Sequence, residues 1–225
     1  MIQIPLANIV VDTFLHGGII MWPLLGLSLF AIGVVTERVI WRVAARRRQD
    51  TDRLTRTYEA LSRGDQVEAI ELAETSSDPR LRVVAYGLQH PEAGLEVAMQ
   101  VRQSEELKIA RRFLTAMDTI ITLAPLLGLL GTVTGIMQSF KFVGGDQELA
   151  ANKVSGGIGE ALIATASGLG IAIFTLVPFN LFGSYAEELH EELDTVIKNV
   201  RLLYEKARPG RRERNLQHAG TSEED

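Results

Sequence analysis

Two long runs without a charged residue restrict the possible fold of this chain more than any other feature. A single glutamate precedes the second run. The runs span residues 119–140 and 161–186, and Glu160 stands directly before the second. Each is long enough to cross the hydrocarbon core of a bilayer, which takes about 20 helical residues. An ionisable group beside lipid is costly, so Glu160 is a candidate functional residue. The pattern predicts helices that pack around an ion path.

Three segments have the length and composition of membrane-spanning helices: residues 17–37, 114–141 and 155–184. No basic residue precedes the first, so we do not expect a cleaved signal peptide. The positive-inside rule places basic flanks in the cytoplasm, which predicts an external N-terminus and a cytoplasmic C-terminus. In the inner membrane of a bacterium with two membranes, external means periplasmic. The flanking basic residues are Arg38, Arg42, Arg46, Arg47, Arg48, Lys108, Arg111, Arg112, Lys198, Arg201, Lys206 and Arg208.

The other segments complete an all-α integral membrane protein with three spans and long cytoplasmic helical extensions. In chain order they are an external or interfacial segment (1–16), a cytoplasmic helical domain (38–113), a short external loop (142–154), a cytoplasmic C-terminal helix (185–207) and a disordered tail (208–225).

Local signals in the charged regions predict helix boundaries. Asp65 followed by Glu68 is typical of a capping box that opens a helix over 66–74. A long helix over 93–113 is expected to run on into the second span. The C-terminal helix carries an apolar stripe, which we interpret as core packing with a partner-binding face as the alternative. The stripe consists of Tyr185, Leu189, Leu193, Val196, Val200 and Leu203.

One face of the second span is small and polar. Gly131 and Gly135 form a GxxxG pair that lets two helix backbones approach closely. Thr132 lines an ion path or takes part in packing, and the residues leave both roles open. The candidate packing or pore-facing residues are Pro125, Gly128, Gly131, Gly135 and Ser139, with Ala164 and Gly168 on the third span.

Glu160 has two interpretations. It is a carboxylate at the mouth or inside a polar lumen, or it is a solvated acid near a helix N-terminus, favoured by the helix dipole. Thr165 is about 140° away around an ideal helix, so the two side chains cannot share one narrow groove. One of them is expected to face a lumen and the other a neighbouring helix.

Composition excludes several classes of function. A net charge of −5 gives no reason to expect nucleic-acid binding. No cysteine is present and the four histidines are scattered, so neither a metal nor another cofactor is predicted. Ser167 lies in a glycine-containing segment, but no span holds a histidine to act as its base. We therefore expect no enzyme. Three spans enclose little space, which predicts a homo-oligomer.

Two motifs carry a resemblance to a known family. Residues 124–137 read APLLGLLGTVTGIM and residues 157–166 read GIGEALIATA. They resemble the second and third spans of the MotA/TolQ/ExbB proton channel family, and three spans with an external N-terminus are similar to its ExbB/TolQ branch.

The resemblance implies a homopentameric ring around two copies of a single-span ExbD/TolR-like partner, which carries a proton-binding aspartate. Such a motor uses the proton motive force to energise outer-membrane transport or envelope maintenance, through a TonB/TolA-like protein. Thr132, Glu160 and Thr165 match the family's polar pore-lining positions. Whether the ion is H⁺ or Na⁺ stays open. The alternative from another functional class is a non-conducting membrane scaffold that assembles partners through its glycine faces.

Overall fold

The computed structural model describes residues 17–141 and 147–207, except for the side chains of residue 93 and residues 147–153. The predicted interfacial segment and disordered tail lie outside these residues. The described part of the chain is helical and contains no strand, which confirms the all-α prediction. Its helices are α1 (Met21–Arg46), α2 (Thr51–Arg63), α3 (Gln66–Glu74), α4 (Pro79–Gln89), α5 (Leu95–Ala110), α6 (Leu114–Phe140) and α7 (Gln147–Ala207), with a 3₁₀ turn at Pro91–Ala93.

Three helical segments are long and apolar enough to cross a membrane. They are Met21–Arg46, Leu95–Phe140, which covers α5 and α6, and Val154–Ala207 within α7. This confirms the prediction of a multi-pass chain with three candidate spans.

Two helix boundaries differ from the sequence-based expectation. The predicted continuous helix over 93–113 is wrong, because α5 ends at Ala110 and α6 starts at Leu114. Phe113 lies between them with φ 66°, a left-handed conformation that cannot continue an α-helix. The predicted loop over 142–154 is also too long, since α7 already begins at Gln147.

The chain divides into two compact units. Within the described residues, the span unit consists of 17–39 and 113–182, and the polar unit consists of 40–112 and 183–207. A small apolar cluster of Val34, Met117 and Phe182 lies inside the span unit.

The polar unit has the larger apolar core. Leu61, Leu81 and Met99 are fully buried there, together with one face of the final third of α7. That face is the predicted stripe: Tyr185, Leu189, Leu193, Val196 and Val200 are buried and Leu203 packs against them. The core-packing interpretation of the stripe is therefore confirmed.

A buried carboxylate fixes two helix starts in the polar unit. Asp78 is fully buried, and its carboxylate accepts hydrogen bonds from the backbone N–H of Asp50 (2.8 Å) and of Arg80 (2.9 Å). The Arg80 guanidinium pairs with it at 2.7 Å. Burial alone would raise the pKa of Asp78, but these hydrogen bonds and the Arg80 charge outweigh burial and hold the pKa below its ordinary value.

The predicted capping box is half formed. The Asp65 carboxylate accepts from the backbone N–H of Glu68 at 3.0 Å and caps α3. Glu68 does not return the bond, because its own carboxylate takes a hydrogen bond from Arg63 at 2.6 Å. The backbone N–H of Asp65 donates instead to the carbonyl of Ala60.

Small residues bring α6 and α7 into backbone contact inside the span unit. A Cβ placed on Gly128 would lie 2.9 Å from the Cα of Thr165, and one on Gly135 would lie 2.9 Å from the Cβ of Ala161. Real Cβ atoms essentially never come that close. The antiparallel pairs along this contact are Ala124–Gly168, Gly128–Thr165, Gly131–Ala164, Gly135–Ala161 and Ser139–Gly157.

We predict that Asp78→Ala destabilises the chain by about 3 kcal/mol, because it leaves the Arg80 charge without its buried partner. Asp65→Ala is the matched control, since it removes an exposed N-cap that is typically worth about 1 kcal/mol. Thermal unfolding of the detergent-solubilised chain measures both. Equal losses would show that Asp78 acts as an ordinary cap.

The pH dependence follows from the lowered pKa of Asp78. A carboxyl whose pKa falls on folding stabilises the fold fully above its unfolded-state pKa of about 3.9, and this contribution is lost as the pH drops through the folded-state value. The stability gap between the native chain and Asp78→Asn should therefore be constant from neutral pH to about pH 5 and narrow below about pH 4. A gap that widens with acid would contradict this assignment.

We predict that Gly168→Ala separates α6 from α7. Its new Cβ would lie 3.2 Å from the carbonyl carbon of Ala124 and closer still to the oxygen, so backbone has to move at a cost of about 2 kcal/mol. Gly170→Ala is the control, because no atom lies within 4 Å of a Cβ there. Thermal unfolding in detergent should show a loss for the first variant and none for the second; similar curves would refute the contact.

Candidate ion pathway

Thr165 joins the two helices that hold the longest uncharged runs. Its side chain is half-buried, and its hydroxyl donates a 2.8 Å hydrogen bond to the carbonyl oxygen of Gly128 on α6. Because Gly128 has no side chain, α7 lies close enough for this bond to form. The hydroxyl oxygen still has lone pairs that can accept a hydrogen bond.

Thr132 satisfies its donor within its own helix. Thr132 is half-buried as a residue, and its hydroxyl donates to the carbonyl of Leu129 at 2.7 Å. Thr134 and Ser139 do the same towards Leu130 (2.9 Å) and Gly135 (2.9 Å). A threonine bonded this way presents only acceptor capacity to its surroundings. Thr132 and Thr165 therefore offer the same chemistry, although one is held by its own helix and the other by a neighbour.

Glu160 does not lie at the N-terminus of its helix. Since α7 begins at Gln147, Glu160 is more than three turns inside, about 20 Å along the axis. The helix dipole acts mainly within the first turn. The interpretation of Glu160 as an acid stabilised by the start of its own helix is therefore wrong.

The Glu160 side chain is half-buried and lies against the backbone of Gly18, just before α1. Thr165 lies against α6. The two side chains thus meet different neighbours, while the expectation that one of them faces a lumen stays a prediction. Thr165 is also about 7.5 Å further along α7 than Glu160. The structure does not bring Glu160 and Thr165 to one point but spaces them along the same helix.

Pro125 is half-buried within α6. A proline has no N–H, so the carbonyl of Ile121 loses its usual partner in the helix. Such an interruption is tolerated in a span where neighbouring helices or side chains cover the freed backbone group. Pro178 makes a second interruption, in α7, that the sequence analysis did not single out.

Three residues of the span unit were missed as candidates. Gly157 and Ala161 belong to the α6 contact, and the spacing of small residues at 157, 161, 164 and 168 was a signal for them. Arg38 enters the sequence analysis only as a basic residue that flanks the first span, yet it is only 1% exposed. Its guanidinium carbon lies 6.0 Å from the centre of the Phe182 ring, within cation–π distance. Nothing in the local sequence distinguishes Arg38 from the arginines that follow it.

In the described part of the chain, no three histidine or acidic side chains are grouped as metal ligands would be. The candidate residues Thr132, Glu160 and Thr165 present hydroxyls and one carboxylate, beside backbone carbonyls. These groups can accept hydrogen bonds from a hydrated proton or from a protonated acid, and they provide no nucleophile–base pair.

Comparison with known proteins gives a consistent result. The model of the MotA/TolQ/ExbB proton channel family matches residues 75–195. An ExbB-like biopolymer transport protein of Synechocystis is 36% identical over 201 residues, covering 86% of this chain and 78% of that protein.

Shorter matches include relatives from both named systems. The biopolymer transport protein ExbB of Neisseria gonorrhoeae is 37% identical over 115 residues, 49% of this chain and 52% of that protein. The Tol-Pal system protein TolQ of Pseudomonas aeruginosa is 40% identical over 96 residues, 43% of this chain and 42% of that protein. These matches confirm the resemblance carried by the two motifs and the prediction that the chain is not an enzyme. The chain belongs to the MotA/TolQ/ExbB proton channel family, whose members are membrane channels.

Proposed function

We propose that this chain is the ion-conducting subunit of an inner-membrane motor. In this proposal it works with a single-span ExbD/TolR-like partner and uses the proton motive force to energise outer-membrane transport or envelope maintenance. Relatives named biopolymer transport protein ExbB and Tol-Pal system protein TolQ support both uses. A TonB/TolA-like protein would carry the work to the outer membrane.

The observation that carries the proposal is the hydrogen bond from Thr165 to the Gly128 carbonyl. It holds a hydroxyl between two helices that have no charged side chain over more than 20 residues each. Because the Thr165 hydroxyl already donates its proton to Gly128, its oxygen can only accept a further hydrogen bond. The Thr132 hydroxyl, which donates to Leu129, is in the same state. Two acceptors suit a proton carried by water or by the protonated aspartate of a partner helix. Glu160, nearer the start of α1, would set the electrostatics of the approach.

A lumen requires more than one copy of the chain. Large apolar side chains on α6 and α7, such as Leu126, Leu129, Leu162 and Phe174, are more than half exposed in a single copy. They are available to lipid, to neighbouring copies and to partner helices. We propose five copies around two partner helices, with the N-terminus in the periplasm and the C-terminus in the cytoplasm. Moving one charge through 100 mV releases about 2.3 kcal/mol, so a few ions would drive one conformational step.

The scaffold alternative needs its glycine faces to be free for partners. Gly131 and Gly135, the GxxxG pair, instead pack on Ala164 and Ala161 of the same chain. This use of the glycine face inside the chain favours the channel over the scaffold. The scaffold still makes a distinct prediction, namely that Glu160→Ala retains full function at normal protein level.

We predict that the double variant Thr132→Val, Thr165→Val loses proton flux by about tenfold or more, because two acceptors leave a low-dielectric path, each worth about 1 kcal/mol or more. The complex with its single-span partner is reconstituted in vesicles, and flux is followed with an internal pH dye under an imposed potential. Thr165→Ser keeps the hydroxyl and should conduct.

The matched control is Thr134→Val. Thr134 is two residues from Thr132, is also half-buried and also donates to its own helix, so its replacement removes the same group from another face. It should conduct like the native complex. If the double variant conducts protons at the native rate, at equal amounts of assembled complex, Thr132 and Thr165 do not line the ion path.

A further inference from the structure

The two glycines before α1 form a surface for α7. α1 starts at Met21, whose backbone N–H donates to the carbonyl of Gly18 at 3.1 Å. Gly18 has φ +73°, a conformation that residues with a side chain rarely adopt. The chain therefore enters its first span through a turn that glycine makes possible.

The Glu160 side chain occupies the space that a side chain at residue 18 would fill. A Cβ built on Gly18 would lie 2.6 Å from the carboxyl carbon of Glu160 and 3.0 Å from its Cγ, with Oε1 closer still. A Cβ built on Gly17 would meet first the side chain of Met21, with its sulfur at 2.7 Å, and then Ile163 of α7 at 3.1 Å. The start of α1 thus supports one turn of α7, from residue 160 to residue 163.

The charge environment agrees with the packing. A carboxylate near the first turn of a helix is favoured by that helix's dipole. Glu160 is too far inside α7 to gain this from its own helix, but it lies against Gly18, whose carbonyl accepts from the N–H of Met21, the first residue of α1. The first span (α1) contributes none of the predicted pathway residues, and yet Gly18 at its start is a direct neighbour of the Glu160 carboxylate.

We propose that Gly18 is a positioning residue for Glu160: the missing side chain at residue 18 gives the carboxylate its place at the start of span 1. The inference rests on the proposed function only in that Glu160 takes part in the ion path. It follows that a shift of the start of α1 moves the carboxylate with it, so span 1 sets the approach to the path.

Gly18→Ala tests the proposal in the reconstituted complex with its single-span partner. It should lower proton flux by about tenfold and lower the midpoint of thermal unfolding. Two controls separate the causes. Gly64→Ala has a similar backbone strain, φ +83°, but only an ordinary 3.8 Å contact, and Gly26→Ala adds a methyl group to α1 with no atom within 4 Å. Both controls should conduct like the native complex.

A double-variant cycle identifies the contact itself. In the Glu160→Ala background, Gly18→Ala should lower the unfolding midpoint only as much as Gly64→Ala does, because the carboxylate it would strike is gone. Shortening the side chain with Glu160→Asp should restore part of the flux that Gly18→Ala removes. If the Gly18→Ala variant alone does not form the complex, recovery of the complex when Glu160→Ala is added would equally identify the contact between residues 18 and 160. Equal losses in both backgrounds, or no rescue by Glu160→Asp, would overturn the proposal.

Its failure differs from a failure of the proposed function. If Glu160→Gln abolishes flux while the cycle shows no coupling, Glu160 serves the path but Gly18 does not position it. If Glu160→Gln conducts normally, Glu160 has no part in the path, and the inference falls with that role even when the stability cycle shows coupling. Lost flux together with coupling supports both.

Discussion

The backbone contact between α6 and α7 is the constraint on which the span unit depends. In lipid, apolar side chains gain little by leaving the solvent, so helices associate through close packing and through hydrogen bonds between them. Each contact pair contains at least one glycine, so the two backbones can touch, and the Thr165–Gly128 hydrogen bond forms at that distance. Replacing one of these residues with a larger one would open the contact and break the bond together.

This packing also decides where polar chemistry can lie. The small residues occupy the side of each helix that forms the contact between α6 and α7. Thr132 and Glu160 therefore lie half-buried beside this contact and not within it. Glu160 lies against Gly18, just before α1, whereas Arg38 is buried eight residues before the end of the same helix. The distance from Met21 to Arg38 along α1 is about 26 Å, close to the thickness of a hydrocarbon core. Glu160 and Arg38 are thus separated along α1 by about one hydrocarbon thickness.

The sequence predicted the features that depend on periodicity and local chemistry. Uncharged runs predicted three candidate spans, the stripe from Tyr185 to Leu203 predicted a packed face, and Asp65 predicted a helix start. It could not predict the break at Phe113, because both neighbouring segments favour helix and the left-handed residue is not a glycine. The sequence also could not predict the neighbours of Glu160 and Arg38, because tertiary packing brings Gly18 and Phe182 to them.

The central claim is that conduction requires several copies of this chain around partner helices. Native mass spectrometry of the gently extracted protein, co-expressed with a single-span protein that carries one membrane aspartate, measures this most directly. The account predicts five copies of the chain with two copies of the partner. A monomer or dimer that takes up no partner would enclose no lumen and would contradict the account.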